Sequence, residues 1–311
     1  MLDGQPISSP PTIDLNNLAA LNDYGDEHVA LTSTEDPLTY PPWILGEGPD
    51  ESGRIHNSTP CAVILVEKSA VDIDAFYFYF YSFNEGPNIT QVLEPINRFV
   101  AGDSLSSGMH FGNHVGDCQH IDGMAYRWDD ARVNITDGRP FVYSALGSHA
   151  NYAERGEQVH NAAIIDYCEE GQRWDPVQSA YFYRFSPDTS TITPIIPPNE
   201  PSSTKAAQNP TSWFDFTGHW GDIQYPDSDP RQETVPHFGL KRFNSGPNGP
   251  RYKHLVRKGL VRDHPREVGW KEWAVSVFMA CQLREEDIPM EELRREEEFL
   301  MSSDDENDFR K

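Results

Sequence analysis

Residues Asp74 to Phe83 read DAFYFYFYSF, and within them Phe76, Phe78 and Phe80 alternate strictly with Tyr77, Tyr79 and Tyr81. Successive side chains of an extended chain point to opposite faces, so the phenyl rings share one side and the phenols the other. A strand carrying large rings on both sides belongs in the interior of a sheet that is covered on both faces. The stretch predicts a central β-sandwich strand whose Phe face packs the core, with Phe78 nearly fully buried and the Tyr hydroxyls at a rim or pocket edge.

Working outward, Cys61 to Val66 reads as a second buried strand and Pro140 to Ala145 as a third. Ala180 to Phe185 and Thr189 to Ile195 read as a hairpin across Ser186-Pro-Asp-Thr. On the N-terminal side, Leu15, Leu18 and Leu21 lie at helical spacing behind capping residues Thr12 and Asp14, which predicts one short helix over Asp14 to Leu21. Residues 1–11 are Pro/Ser-rich and are expected to be disordered, and 196–212 is expected to be a surface loop. Beyond Pro250, Trp270, Trp273, Ala274, Val277, Phe278 and Cys281 recur at three- and four-residue steps, an amphipathic helix followed by an acidic tail. The expected architecture is mainly β: an antiparallel β-sandwich over 12–256, with a disordered N-terminus (1–11) and a helical, acidic C-terminal extension (257–311).

The chain has 311 residues and a formal net charge of −24. The segment from Arg284 onward contributes −7 of this, so −17 belongs to the body. Such a surface repels phosphate backbones and anionic lipid, which argues against nucleic acid as a partner and leaves protein partners or glycans. Cys61, Cys118, Cys168 and Cys281 are too scattered for a disulfide framework, and none forms a Cys-x-x-Cys pair that would suggest structural zinc. Sequons at Asn57, Asn88 and Asn134 would suit a secretory-pathway protein, but chance matches are expected in a chain of this composition, so they carry little weight. No run approaches the ~18 apolar residues of a membrane-spanning helix. The opening MLDGQPISSPPT lacks a basic flank and an apolar core, so the chain as written reads as cytoplasmic.

Three polar clusters could carry chemistry. In Gly112 to Asp122, GNHVGDCQHID, an extended chain sets Asp117, Gln119 and Ile121 on one side, and His114 on a glycine-flanked bend is expected to fold back over Asp117. Imidazole, carboxylate and amide oxygen would then surround one point, a candidate site for calcium, magnesium or zinc. In Tyr143 to Tyr152, YSALGSHANY, a strand runs into a glycine turn presenting Ser148 and His149. Neighbouring side chains on a strand diverge, which argues against a nucleophile and its base, and the hydrolase elbow Gly-x-Ser-x-Gly is absent. A structural His149 is the plainer reading. In Trp213 to Gln232 the turn ending at Asp222 and the acids Asp227 and Asp229 could offer oxygens to a cation or merely cap turns.

Taken in order, FYFYFYSFNEGP, GNHVGDCQH, VYSALGSHANYA, WDP, AYFYRF, GHWGDIQYPDSDPRQ and SGPNGPR resemble the fungal vacuolar protein sorting-associated protein sixty-two family over roughly residues 14–256. The resemblance implies a factor in vacuolar protein targeting, a role defined by a sorting phenotype and not by a reaction. The family pattern carries Asp-Trp-Glu-His where this chain has Asp117-Cys118-Gln119-His120. A similar Asp-Trp-Glu marks the metal site of β-sandwich microbial cytolysins, so the analogy implies a divalent cation held by His114, Asp117, Gln119, His149 and Asp222. Gln119 in place of an acid would weaken it. The stretch from His120 to Tyr143 is shorter than the pattern, and the chain starts after its usual first strand. An incomplete gene model would explain both and would shift the expected compartment to the vacuolar or secretory pathway. Three functions compete: a non-enzymatic sorting factor that binds proteins, a metal-dependent enzyme or carbohydrate-binding module, and a cytolysin-like secreted surface binder.

Overall fold

The computed structural model describes residues 12–25, 28–86, 110–119, 126, 128–161, 164–195, 209–234, 240–253 and 255–256. All of these belong to the first of two compact units, residues 1–268. The amphipathic helix expected at 270–281, the acidic tail, the N-terminal residues 1–11 and most of the 196–212 loop lie outside the described residues.

The Phe/Tyr stretch forms β2, Ile73–Asn84, and the Cys61 run forms β1, Cys61–Glu67. Both sit inside a curled, five-stranded mixed sheet with β3 (His114–Gln119), β10 (Ala180–Ser186) and β11 (Thr191–Pro194), in the order β11-β10-β1-β2-β3. β1 pairs antiparallel with β2, and β10 with β11, which is the expected hairpin. The β1–β10 pairing is parallel, with Ile64 opposite Tyr183 and Val66 opposite Phe185. An all-antiparallel sheet was expected. Parallel neighbours need a long connection, and here everything between Glu67 and Ala180 supplies it.

The alternation of β2 is realised. Ile64, Val66, Phe76, Phe78, Tyr183 and Phe185 belong to the main core, and Phe78 is 3% exposed. The opposite face carries Cys61, Val63 and Tyr79, flanked by Tyr77, Tyr81, Trp174 and Phe182. Phe80 departs from the pattern at 41% exposed, although it points to the core side.

A second sheet packed face to face is not seen among the described residues, so the sandwich gives way to one sheet covered by irregular chain. The core face is closed by Leu18, Leu21 and Val29 together with Trp213, Phe214 and Phe216. These two segments are tied through Asn22, whose Nδ2 donates to the Asp215 carbonyl (2.8 Å) and whose Oδ1 accepts from the Thr217 amide (3.0 Å). Backbone bonds from Leu31 to His219 and from His219 to Val29 continue the seam. Gly, Pro and Asp in these stretches suit turns better than strands.

Two further expectations change in detail. The N-terminal helix is a turn followed by a 3₁₀ helix, Leu18–Tyr24, which buries Leu18 and Leu21 and leaves Leu15 exposed. Asp14 and Asn17 bond the local backbone instead: the Asn16 amide donates to Asp14 Oδ1, and the Asp14 amide to Asn17 Oδ1. Such bonds compete with the α-helical ladder. The predicted strand over Pro140 to Ala145 is broken between two ribbons, β4–β5 (Ile135–Thr136, Arg139–Pro140) and β6–β7 (Tyr143–Ser144, Asn151–Tyr152). Pro140 has no amide to continue a ladder. A last ribbon joins β8, Gly156–Asn161, to β9, Ile164–Cys168.

Candidate functional site

The edge strand β3 is built from the first polar cluster and is wedged between β2 and the 220–221 loop. Gly116 and Gly221 both have positive φ, and a Cβ at either would overlap backbone across the seam, at the Trp220 and Val115 carbonyls respectively. Only glycine permits this approach. The register sets Asp117 opposite Tyr81, Gln119 opposite Tyr79 and His114 opposite Asn84.

Asp117 is buried. Across from it, the β6–β7 hairpin turns through Ala145 to Ala150, with His149 in the left-handed region (φ 58°) and its amide donating to the Ala145 carbonyl at 3.1 Å. This conformation lays the imidazole flat on Tyr81, ring centroids 3.9 Å apart and planes 3° from parallel. It brings His149 Nδ1 to 3.7 Å from Asp117 Oδ2, too far for a hydrogen bond, and this buried nitrogen has no hydrogen-bond partner. Burial pushes the Tyr81 phenol up to about 12; a hydrogen bond with Ser144 acts against this and the Asp117 carboxylate adds to it. Trp174 closes the group, edge-on to both Tyr79 and Tyr81.

Ser148 and His149, adjacent in sequence, serve different carboxylates. The Ser148 hydroxyl donates to Asp166 Oδ1 at 2.8 Å, and the Tyr152 hydroxyl donates to Asp166 Oδ2 at 2.6 Å. Burial, reinforced by the Asp166 charge, pushes the neighbouring Cys168 thiol up to about 11. That thiol is a protonated core group near neutral pH, not a nucleophile.

His114 does not fold back over Asp117 as expected. Three positions apart on an extended strand, the two side chains leave opposite faces. The His114 Nδ1 lies 2.6 Å from the Gly116 carbonyl, and the imidazole acts electrostatically on Asp222. Asp222 is buried, accepting from the Thr32 hydroxyl at Oδ1 and from the Tyr225 hydroxyl at Oδ2 (3.0 Å). Burial raises its carboxyl above the usual range, while Thr32, Tyr225, Arg231 and His114 pull the other way. Four of the five residues named from sequence thus fall into two places: Asp117 with His149 on the tyrosine face, and His114 with Asp222 against the 220–225 loop. Gln119 is placed only by its backbone register. Among the described residues no three His, Cys, Asp or Glu side chains converge as a metal-ion ligand set.

Sequence reasoning passed over Tyr81 and Asp166 as partners of this site. Tyr81 was visible as the last phenol of the alternation, but nothing local shows that His149 stacks on it.

On the other face of the sheet lies a cavity of ≈ 250 Å³, walled by Phe78, Phe80, Tyr181, Trp213 and Trp220 with the Thr59 hydroxyl side chain at its edge. Phe80 owes its exposure to this opening.

Comparison with known proteins places these observations. The chain is 30% identical over 322 aligned positions to vacuolar protein sorting-associated protein TDA6 (provisionally so named) of Saccharomyces cerevisiae, covering 87% of this chain and 62% of that one. It is 30% identical over 282 positions to vacuolar protein sorting-associated protein 62 of the same yeast, covering 79% of this chain and 54% of the relative. The chain belongs to their family. It spans between a half and two thirds of the length of these relatives. No family model and no solved structure matches the chain. The alignments to both family members are long enough to take in the mixed sheet, and in this member no helix among the described residues is long and apolar enough to cross a membrane.

Proposed function

We propose that this family member acts in vacuolar protein sorting by binding a protein partner rather than by catalysis. The observation that carries the reading is the Ser148 hydrogen bond to Asp166. It commits the hydroxyl proton to Asp166 rather than to the imidazole that activation would need, and the Tyr81 and Tyr152 phenols and the Cys168 thiol nearby are held protonated by burial. The partner surface is assigned to Leu45 and Leu146, 88% and 61% exposed, the first ending the 3₁₀ helix Pro42–Leu45 and the second in the β6–β7 turn, both beside the C-terminal end of β2. The Ile44 carbonyl accepts from Ser82, and the Gly147 carbonyl from the Glu85 amide. Two exposed apolar side chains held beside one strand end would give such a partner an apolar contact to cover.

The test is sorting of a vacuolar hydrolase in cells whose own copy is deleted. Ser148→Ala should restore sorting and the paired change Leu45→Ser with Leu146→Ser should not, at equal protein level. Loss with Ser148→Ala and retention with the leucine pair would defeat the proposal.

A second reading, a weak divalent cation bridging Asp117 and His149, is favoured by the buried, unpartnered His149 Nδ1 facing a carboxylate across 3.7 Å. Imidazole and carboxylate together suit zinc better than calcium or magnesium. Calorimetric titration of the three ions into the chain and into Gln119→Glu decides it: tighter binding by the variant supports the site, and equal or absent binding rejects it.

A further inference from the structure

The ≈ 250 Å³ cavity interrupts the core face of the sheet at a place where packing would be expected to close. Its walls are fixed. Phe78, 3% exposed, forms its inner wall. The Trp213 Nε1 donates to the Pro210 carbonyl (2.8 Å) and to the Tyr183 hydroxyl (3.1 Å), which anchors that indole. Trp220 is held edge-to-face by three rings: Phe80 at 65°, Phe216 at 76° and Trp213 at 84°. A space bounded by rings that stand nearly perpendicular to one another is bounded by π faces as well as by edges.

Among the described residues no charged side chain lines the cavity, and the neighbouring Arg251 is engaged with Asp215 at 2.6 Å. These two facts select among ligand classes. A carboxylate or phosphate would enter without a counter-ion, into a chain of net charge −24 that repels it. A primary ammonium would be drawn in but would forfeit three hydrogen bonds to water, which the two lining hydroxyl side chains, Thr59 and Tyr181, cannot fully replace. A quaternary ammonium has no N–H to satisfy, is attracted by the chain's overall charge, and gains from each aromatic face it meets. We propose that the cavity is an aromatic cage for a choline-type trimethylammonium head, free or carried on a lipid headgroup. Among the described residues no acidic side chain stands in the lining to pair with the flanking lysines of a methylated peptide, which is why choline chemistry is preferred. This site is independent of the Leu45/Leu146 surface, so either reading can fail alone.

The full chain is titrated with choline and with its uncharged carbon isostere, in which a tert-butyl group replaces trimethylammonium, following tryptophan fluorescence. Choline should bind saturably and the isostere at least about tenfold more weakly, since only the cation uses the ring quadrupoles. Phe80→Leu keeps an apolar wall but removes one ring from a partly exposed position; it should weaken choline by about three- to tenfold and leave the isostere unchanged. Phosphocholine and phosphatidylcholine vesicles then distinguish the sources, tighter binding of the vesicles assigning a lipid headgroup and equal or tighter binding of the soluble compound a free ligand. An isostere that binds as well as choline, the lack of any saturable choline response, or tighter binding by a trimethyl-lysine peptide would overturn the proposal.

Discussion

Replacing Phe78 and Phe80 in turn by alanine separates the regular alternation of β2 from the surface it actually meets. Both rings leave the same face of the same strand, yet Phe78 is 3% exposed and Phe80 41%. Phe78→Ala removes a fully packed ring and leaves a hole that neighbours fixed by the sheet cannot fill, a loss of about 3–5 kcal/mol. Phe80 has only part of its area to lose, and its removal enlarges an opening that already exists, so the cavity penalty largely drops out. What remains is partial transfer plus the edge-to-face contact with Trp220, about 1–2 kcal/mol. Urea unfolding would show this as a midpoint shift two to three times larger, roughly, for Phe78→Ala at unchanged slope. Equal shifts for the two variants would refute the reasoning, because the core would then have to close over Phe80 as it does over Phe78.

Three other perturbations follow from the packing. Gly221→Ala should prevent β3 from seating against the 220–221 loop, since the new methyl meets the Val115 carbonyl at positive φ; loss of hydrogen-exchange protection at Val115 and Asp117 would register it. Asp166→Asn exchanges a charged acceptor of two hydroxyls for a neutral one and should cost about 1.5–3 kcal/mol by thermal or urea unfolding, with no change if the Ser148 and Tyr152 bonds are incidental. The Arg139 guanidinium pairs with both oxygens of Asp175 and, with Gln178 and the Val177 amide helping, holds that carboxyl below its usual range. A depressed carboxyl contributes stability above its unfolded pKa that is lost as pH falls through the folded one, so Arg139→Gln should flatten the stability–pH curve below about pH 4. An unchanged acid limb would count against the pair.

What could be read from the sequence was what neighbouring residues decide among themselves. The period-two pattern of Phe76 to Tyr81 marked an interior strand with both faces covered, and Ser186-Pro-Asp-Thr marked a hairpin, because each lies within one short window. The parallel partnership of β1 and β10 could not be read, since nothing in Cys61 to Glu67 distinguishes a neighbour at residue 180 from one at residue 140. Helical leucine spacing misled at Leu15, where Asp14 and Asn17 take the backbone bonds for themselves. The analogy groups His149 with Asp117, but the stack on Tyr81 that sets their approach is not legible in the sequence, because it depends on one residue adopting φ 58°. His114 was misassigned for the opposite reason: a bend was read where the strand in fact begins, and one residue of extension reverses a side chain.

The parallel pairing also sets a clock on synthesis. When β2 has emerged from the ribosome it can pair with β1 at once, but the other edge of β1 must wait for β10, whose last paired residue is Phe185. At a translation rate of 5–20 residues per second that delay is roughly 5–20 s, against microseconds for the hairpin itself. Throughout it the nascent chain presents Cys61 to Val66 as an apolar strand with unanswered amides and carbonyls, the kind of edge that recruits a chaperone or a second nascent copy. Slowing elongation after Asn84 should therefore increase chaperone occupancy, and accelerating it through the β3–β9 stretch should raise the folded yield.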